Sequence, residues 1–121
     1  MTKRILIVDD SVSIRKSVSF VLSEQGYEVI EAEDGRDGLA KAAVAICNLI
    51  ITDINMPNMG GIDFIKALRE MNEYKFVPII ALTTESQSTK MQEGKLAGAT
   101  GWIVKPFTSE KLSAVVKKVL G

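Results

Sequence analysis

The sequence predicts an α/β sandwich, a parallel five-stranded sheet covered by helices on both faces, and three observations point to it. Four short apolar runs punctuate the chain: Ile5-Leu6-Ile7-Val8, Leu49-Ile50-Ile51, Pro78-Ile79-Ile80-Ala81-Leu82 and Trp102-Ile103-Val104. A strand buried on both faces has no polar alternation, so unbroken Val/Ile/Leu runs are its signature. A fifth segment, Tyr27-Glu28-Val29-Ile30-Glu31-Ala32, mixes apolar with acidic residues and suits an edge. The intervening stretches have helical spacing, so strand and helix alternate five times over short connections, the pattern of a doubly wound sheet with right-handed crossovers.

The helical stripes are Val12, Val18 and Leu22 with Phe20 and Val21 nearby, then Leu39, Ala42 and Ala43, then Ile62, Ile65 and Leu68, and finally Leu112, Val115, Val116 and Val119. Ser11, Asp34, Ser86 and Thr108 supply side-chain oxygens for the exposed N–H groups that open each helix, and Asp37 and Glu110 add negative charge in the first turn. Gly26, Gly98 and Gly121 supply stops. The segment 86–95 is the weakest helix, with little apolar surface beyond Met91 and an internal Gly94, and reads as a mobile segment or a docking face. Met59, Met71 and Met91 read as gap-filling or surface residues, and Cys47 as a small buried apolar one.

At 121 residues and 46% hydrophobic, the chain has the size and apolar content of one domain, 1–121, with no linker, repeat or low-complexity tract. Fifteen basic residues balance fifteen acidic ones, which leaves no electrostatic footprint for nucleic acid or an anionic membrane and favours protein partners. One cysteine excludes an internal disulfide and a Cys-ligated metal, and a reducing cytoplasm fits. The run Ile5 to Val8 ends at once in Asp9-Asp10, too soon for a signal sequence or membrane span. Histidine is absent, so any chemistry runs on carboxylates, lysine and hydroxyls.

In open α/β sheets the polar site forms beyond the carboxyl ends of the strands. Those ends carry Asp9-Asp10, Asp53, Thr83-Thr84 and Lys105-Pro106. Three carboxylates gathered there repel one another unless a cation lies among them, and an oxygen-only cluster suits Mg²⁺ or Ca²⁺. Lys105 adds a flexible positive charge and Thr83 a hydroxyl donor. An aspartate beside a divalent cation and a lysine is a nucleophile fit for phosphorus, because both neutralise charge on the transferring group. Taken singly, each motif has a plainer reading: an acidic helix N-terminus for Asp9-Asp10, a turn compatible with a cis peptide for Lys105-Pro106, a polar strand end for Thr83-Thr84 and a loop for Met56-Pro57. Their convergence on one rim favours the site.

Asp9-Asp10, Asp53-Ile54-Asn55-Met56-Pro57 with Gly60-Gly61, Thr83-Thr84 and Lys105-Pro106-Phe107, spread over nearly the whole chain, resemble the receiver domain of two-component response regulators, in particular the stand-alone chemotaxis type. The resemblance implies a flavodoxin-like (βα)5 fold with strand order 2-1-3-4-5. It implies that Asp53 is the phosphoacceptor, that Asp10, Asp53 and the main-chain carbonyl of Asn55 bind Mg²⁺, and that Asp9 assists through water. Lys105 and Thr83 then contact the phosphoryl group, Thr83 and Trp102 form the switch, and Asn55 and Glu85 tune hydrolysis. Trp102 stands where the family usually has Tyr, Phe or His, and Asn48 where an aspartate is frequent. The implied partners are a histidine kinase as donor and a downstream target, with the flagellar motor switch and a phosphatase as candidates. The target face comprises 86–95, Trp102 and 110–120, on a protein expected to be monomeric.

Three other readings compete. An aspartate-nucleophile phosphohydrolase shares the Asp, metal and lysine but needs an acid–base aspartate two residues on, where this chain has Asn55. A flavin or nucleotide binder on the same fold needs a Gly-rich phosphate loop after strand one, where this chain has Asp9-Asp10-Ser11. A receiver relic that only mediates protein contacts would not label on Asp53.

Overall fold

The computed structural model describes residues 2–84 and 88–121. The elements run β1 (Arg4–Val8), α1 (Val12–Glu24), β2 (Glu28–Ala32), α2 (Gly35–Val44), β3 (Leu49–Asp53), α3 (Gly61–Glu70), a 3₁₀ turn (Asn72–Tyr74), β4 (Ile79–Thr84), α4 (Ser88–Ala97), β5 (Gly101–Lys105) and α5 (Ser109–Leu120). All strand pairs are parallel, in the order β2-β1-β3-β4-β5, so the acidic-apolar segment is an edge strand as expected.

The unbroken runs bury because successive side chains feed two different cores. Ile5 and Ile7 of β1, Leu49 and Ile51 of β3, Ile80 and Leu82 of β4 and Ile103 of β5 pack with Val18 and Leu22 of α1 and Leu112 and Val116 of α5. The residues between them, Leu6, Val8, Ile50 and Ile79, pack with Ala42, Phe64, Ile65 and Leu68 of α2 and α3, and Ala97 at the end of α4 joins that side. Ser11, Asp34 and Thr108 cap α1, α2 and α5 by accepting from Ile14, Asp37 and Lys111 N–H. Ser86 lies outside the described residues.

One expectation is corrected: Val12 and Phe20 do not belong to the buried stripe of α1 but are 59% and 67% exposed. Val12 sits about 240° around the helix from Val18, so Ile14, Val18, Val21 and Leu22 form the stripe instead. Ala43 of α2 is likewise exposed.

Two polar side chains pin the loops opposite the strand ends' rim. Tyr74 is fully buried, and its hydroxyl donates to Ala42 O at 2.7 Å while accepting from Cys47 N at 3.0 Å. Arg69 donates to the carbonyls of Gly98, Tyr74, Lys75 and Val77. No described helix is long and apolar enough to cross a membrane. Replacing Tyr74 by Phe strands a buried N–H and a buried carbonyl at once; Tyr74→Phe should lower unfolding stability in urea by about 1–3 kcal/mol with the denaturant slope unchanged.

Candidate functional site

Because every strand is parallel, every carboxyl end reaches the same rim. Asp9 extends β1 by one residue, its N–H donating to Ala32 O at 3.1 Å, before Ser11 turns the chain into α1. Its side chain is fully buried, with Oδ1 accepting from Ser11 N at 2.9 Å and Oδ2 from Lys105 Nζ at 3.2 Å. Asp53 ends β3 and is 8% exposed; its Oδ1 accepts from Ile54 N at 2.8 Å and lies 3.3 Å from Lys105 Nζ. Among the described residues, Oδ2 of Asp53 has no hydrogen-bond partner. Asp10 is exposed, and Asp9, Asp10 and Asp53 each bring an oxygen to within 4.8 Å of the other two.

One ammonium among three carboxylates leaves an excess of negative charge in a half-buried setting. Burial, and then the neighbouring Asp9 charge, hold the Asp53 carboxyl above its ordinary value, against the pull of Lys105 and the Ile54 N–H. An all-oxygen, anionic donor set open on the Asp10 side is what a hard divalent cation such as Mg²⁺ requires, so the residues present fit that ion.

The other sequence-predicted residues divide. Thr83 is fully buried at the end of β4, and among the described residues its Oγ1 has no hydrogen-bond partner. Asn55 is exposed and, with Asp10, Met56, Lys66 and Lys90, lines a cleft of about 610 Å³ between the acidic trio and α3–α4. Trp102 is 41% exposed on β5, opposite Ala81, and lines a separate groove with Val104, Phe107 and Lys111. The Lys105-Pro106 peptide is cis. Glu85 lies outside the described residues.

The loop that carries Asn55 is held by contacts the sequence did not announce. Asn58 adopts φ +66°, a left-handed conformation that asparagine tolerates, and donates to Asp34 Oδ2 at 2.7 Å. The Asp37 N–H and the Asn58 amide together keep the Asp34 carboxyl below its ordinary value. Gly61 marks a close approach: a Cβ there would stand 2.2 Å from Asp53 O. The pair Gly60-Gly61 was the only hint of this crowding in the sequence.

Residues 5–117 match the response regulator receiver domain family. The chain is 42% identical over 120 residues to chemotaxis protein CheY1 of Helicobacter pylori, covering 98% of this chain and 97% of the relative. It is 37% identical over 117 residues to CheY-3 of Vibrio cholerae, covering 96% and 90%. Among solved structures, the chemotaxis response regulator CheY4 of Vibrio cholerae superposes with a TM-score of 0.94 at 52% identity, over 98% of this chain and 99% of that one.

The raised Asp53 carboxyl has a consequence for stability in metal-free buffer. Its folded pKa exceeds its unfolded one, so it contributes no penalty while both states are protonated and an increasing one as pH rises from the ordinary carboxylate value through the raised native value. Asp53→Asn should therefore be more stable than the parent near neutral pH with EDTA present, and the gap should close as pH falls into the ordinary carboxylate range. Thermal melts across that range check it, and equal stability at neutral pH contradicts it.

Proposed function

The chain belongs to the response regulator receiver domain family and is a CheY-like two-component signalling protein, and we propose that Asp53 takes up a phosphoryl group from a phosphohistidine of a partner kinase. The observation that supports this is the state of Asp53: one oxygen is held by Ile54 N–H and Lys105, and the other is uncommitted among the described residues. The uncommitted oxygen attacks phosphorus, the bond to the donor imidazole nitrogen breaks, and its electron pair leaves with the imidazole, giving an acyl phosphate on Asp53.

Mg²⁺, when bound by Asp10, Asp53 and the Asn55 carbonyl, supplies charge neutralisation on the phosphoryl oxygens. Asp9 supports that site through water, since both its oxygens already accept protein hydrogen bonds. Lys105 reaches Asp9 and Asp53 together and can exchange a carboxylate for a phosphoryl oxygen without a long movement. Thr83 offers to the product a hydroxyl that has no partner among the described residues, and Trp102 reports the change. Water attack on the acyl phosphate releases inorganic phosphate and restores the carboxylate, with Asn55 and Glu85 setting how fast. The single receiver domain then presents α4, β5 and α5 to a target protein, and the chemotaxis proteins among its relatives favour a flagellar motor target in the cytoplasm.

Incubation with acetyl phosphate and Mg²⁺ should add one phosphoryl group by mass spectrometry, on Asp53 and not in Asp53→Asn. Lys105→Met should slow labelling by about a hundredfold, the usual cost of deleting one preorganised cationic or hydrogen-bond donor. Beryllofluoride with Mg²⁺ should change Trp102 fluorescence in the parent, with Thr83→Val binding it silently. An Asp53→Asn protein that responds as the parent does removes the assignment.

A further inference from the structure

Asp10 is the most exposed member of the acidic trio, and no side chain among the described residues holds its carboxylate. Its position therefore depends on the backbone that carries it. The Asp9 carbonyl belongs to the same planar peptide unit as the Asp10 N–H, so whatever fixes that oxygen fixes the plane from which Asp10 departs. Arg15, one turn into α1, donates from Nη1 to Asp9 O at 2.6 Å. Its Nε donates to Glu31 Oε1 of β2 at 3.3 Å, and Glu31 is held from the other side by Lys16 at 3.2 Å. Both ends of the contact are shielded, with Arg15 and Glu31 side chains 14% and 24% exposed.

We propose that Arg15, braced by Glu31, is a positioning residue that orients the Asp9–Asp10 peptide and so sets the affinity of the acidic trio for Mg²⁺. The inference rests on the reading of that trio as a divalent-cation site. Charge alone predicts the opposite sign, because a guanidinium near the trio repels a cation and its removal should tighten binding. Orientation and charge are therefore separable by the direction of the effect. Glu31 both aims the guanidinium and neutralises it, so its loss also weakens the site.

The test is calorimetric titration of the unphosphorylated protein with magnesium chloride, alongside thermal melts in EDTA. Arg15→Met should raise the Mg²⁺ Kd by about tenfold, the low end of what the loss of a supporting hydrogen bond to a metal site costs. Arg15→Lys keeps the charge but cannot grip Asp9 O and Glu31 in the same fork, and should raise Kd by a smaller factor. Glu31→Gln should weaken binding in the same direction. A Kd that is unchanged or lower in Arg15→Met, whatever happens to its melting temperature, makes Arg15 a purely structural residue and overturns the proposal. Should Arg15→Met not fold, Arg15→Lys decides, an unchanged Kd overturning it. A parent that binds no Mg²⁺ sinks the cation-site reading as well, whereas a parent that binds with all variants equal to it sinks this inference alone.

Discussion

Mutual repulsion among Asp9, Asp10 and Asp53 is the constraint around which the rest of the structure is arranged. Two like charges about 4 Å apart repel by about 4 kcal/mol at an effective dielectric near 20, so three carboxylates within 4.8 Å of one another form a costly grouping. The fold answers with one ammonium, shared between Asp9 and Asp53, and with backbone N–H groups of Ser11 and Ile54. That offsets part of the cost and leaves a surplus of negative charge facing the opening beside Asp10. The same surplus makes the site receptive to a divalent cation.

Holding such a site together demands a rigid support, which the two-sided core provides. β1 and β3 lie side by side in the middle of the sheet, buried on both faces, and they deliver Asp9 and Asp53 to adjacent points of the rim. Lys105 comes from the far edge strand, two strands away from β3, and its long stem spans the gap. A short cationic side chain on β5 could not reach both carboxylates across the intervening β4. The loops that return the chain to the opposite rim are fixed by Tyr74 and Arg69 through main-chain carbonyls.

What was legible in the sequence was local or periodic. Ile5 to Val8 and Leu49 to Ile51 announced central strands because continuous burial leaves no other pattern, and the caps Ser11, Asp34 and Thr108 act within their own turn. The strand-end residues were legible because parallel topology sends them all to one place. Illegible were contacts whose partners are distant in sequence and whose residue types are ordinary: Asn58 with Asp34, and Arg15 with Glu31. Val12 and Phe20 misled because apolar residues near a stripe look like part of it until helical phase is counted.

The proposed machinery draws on both parities of the strands. Asp9, Asp53 and Lys105 share parity with Ile7, Ile51 and Ile103, which face α1 and α5, whereas Thr83 and Trp102 share the opposite parity with Ala81 and Val104. A buried hydroxyl without a partner costs about 1–3 kcal/mol, and among the described residues Thr83 Oγ1 has none, so a new acceptor at the rim would relieve that penalty. Since about 1.4 kcal/mol is a tenfold change in a two-state ratio, that relief alone suffices to move a population by one to two orders of magnitude. α4 has the weakest apolar stripe of the five helices, with Gly94 inside it and Leu96 88% exposed. In the proposed reading, the Thr83 hydroxyl inside and the weakly apolar α4 outside are two halves of one device.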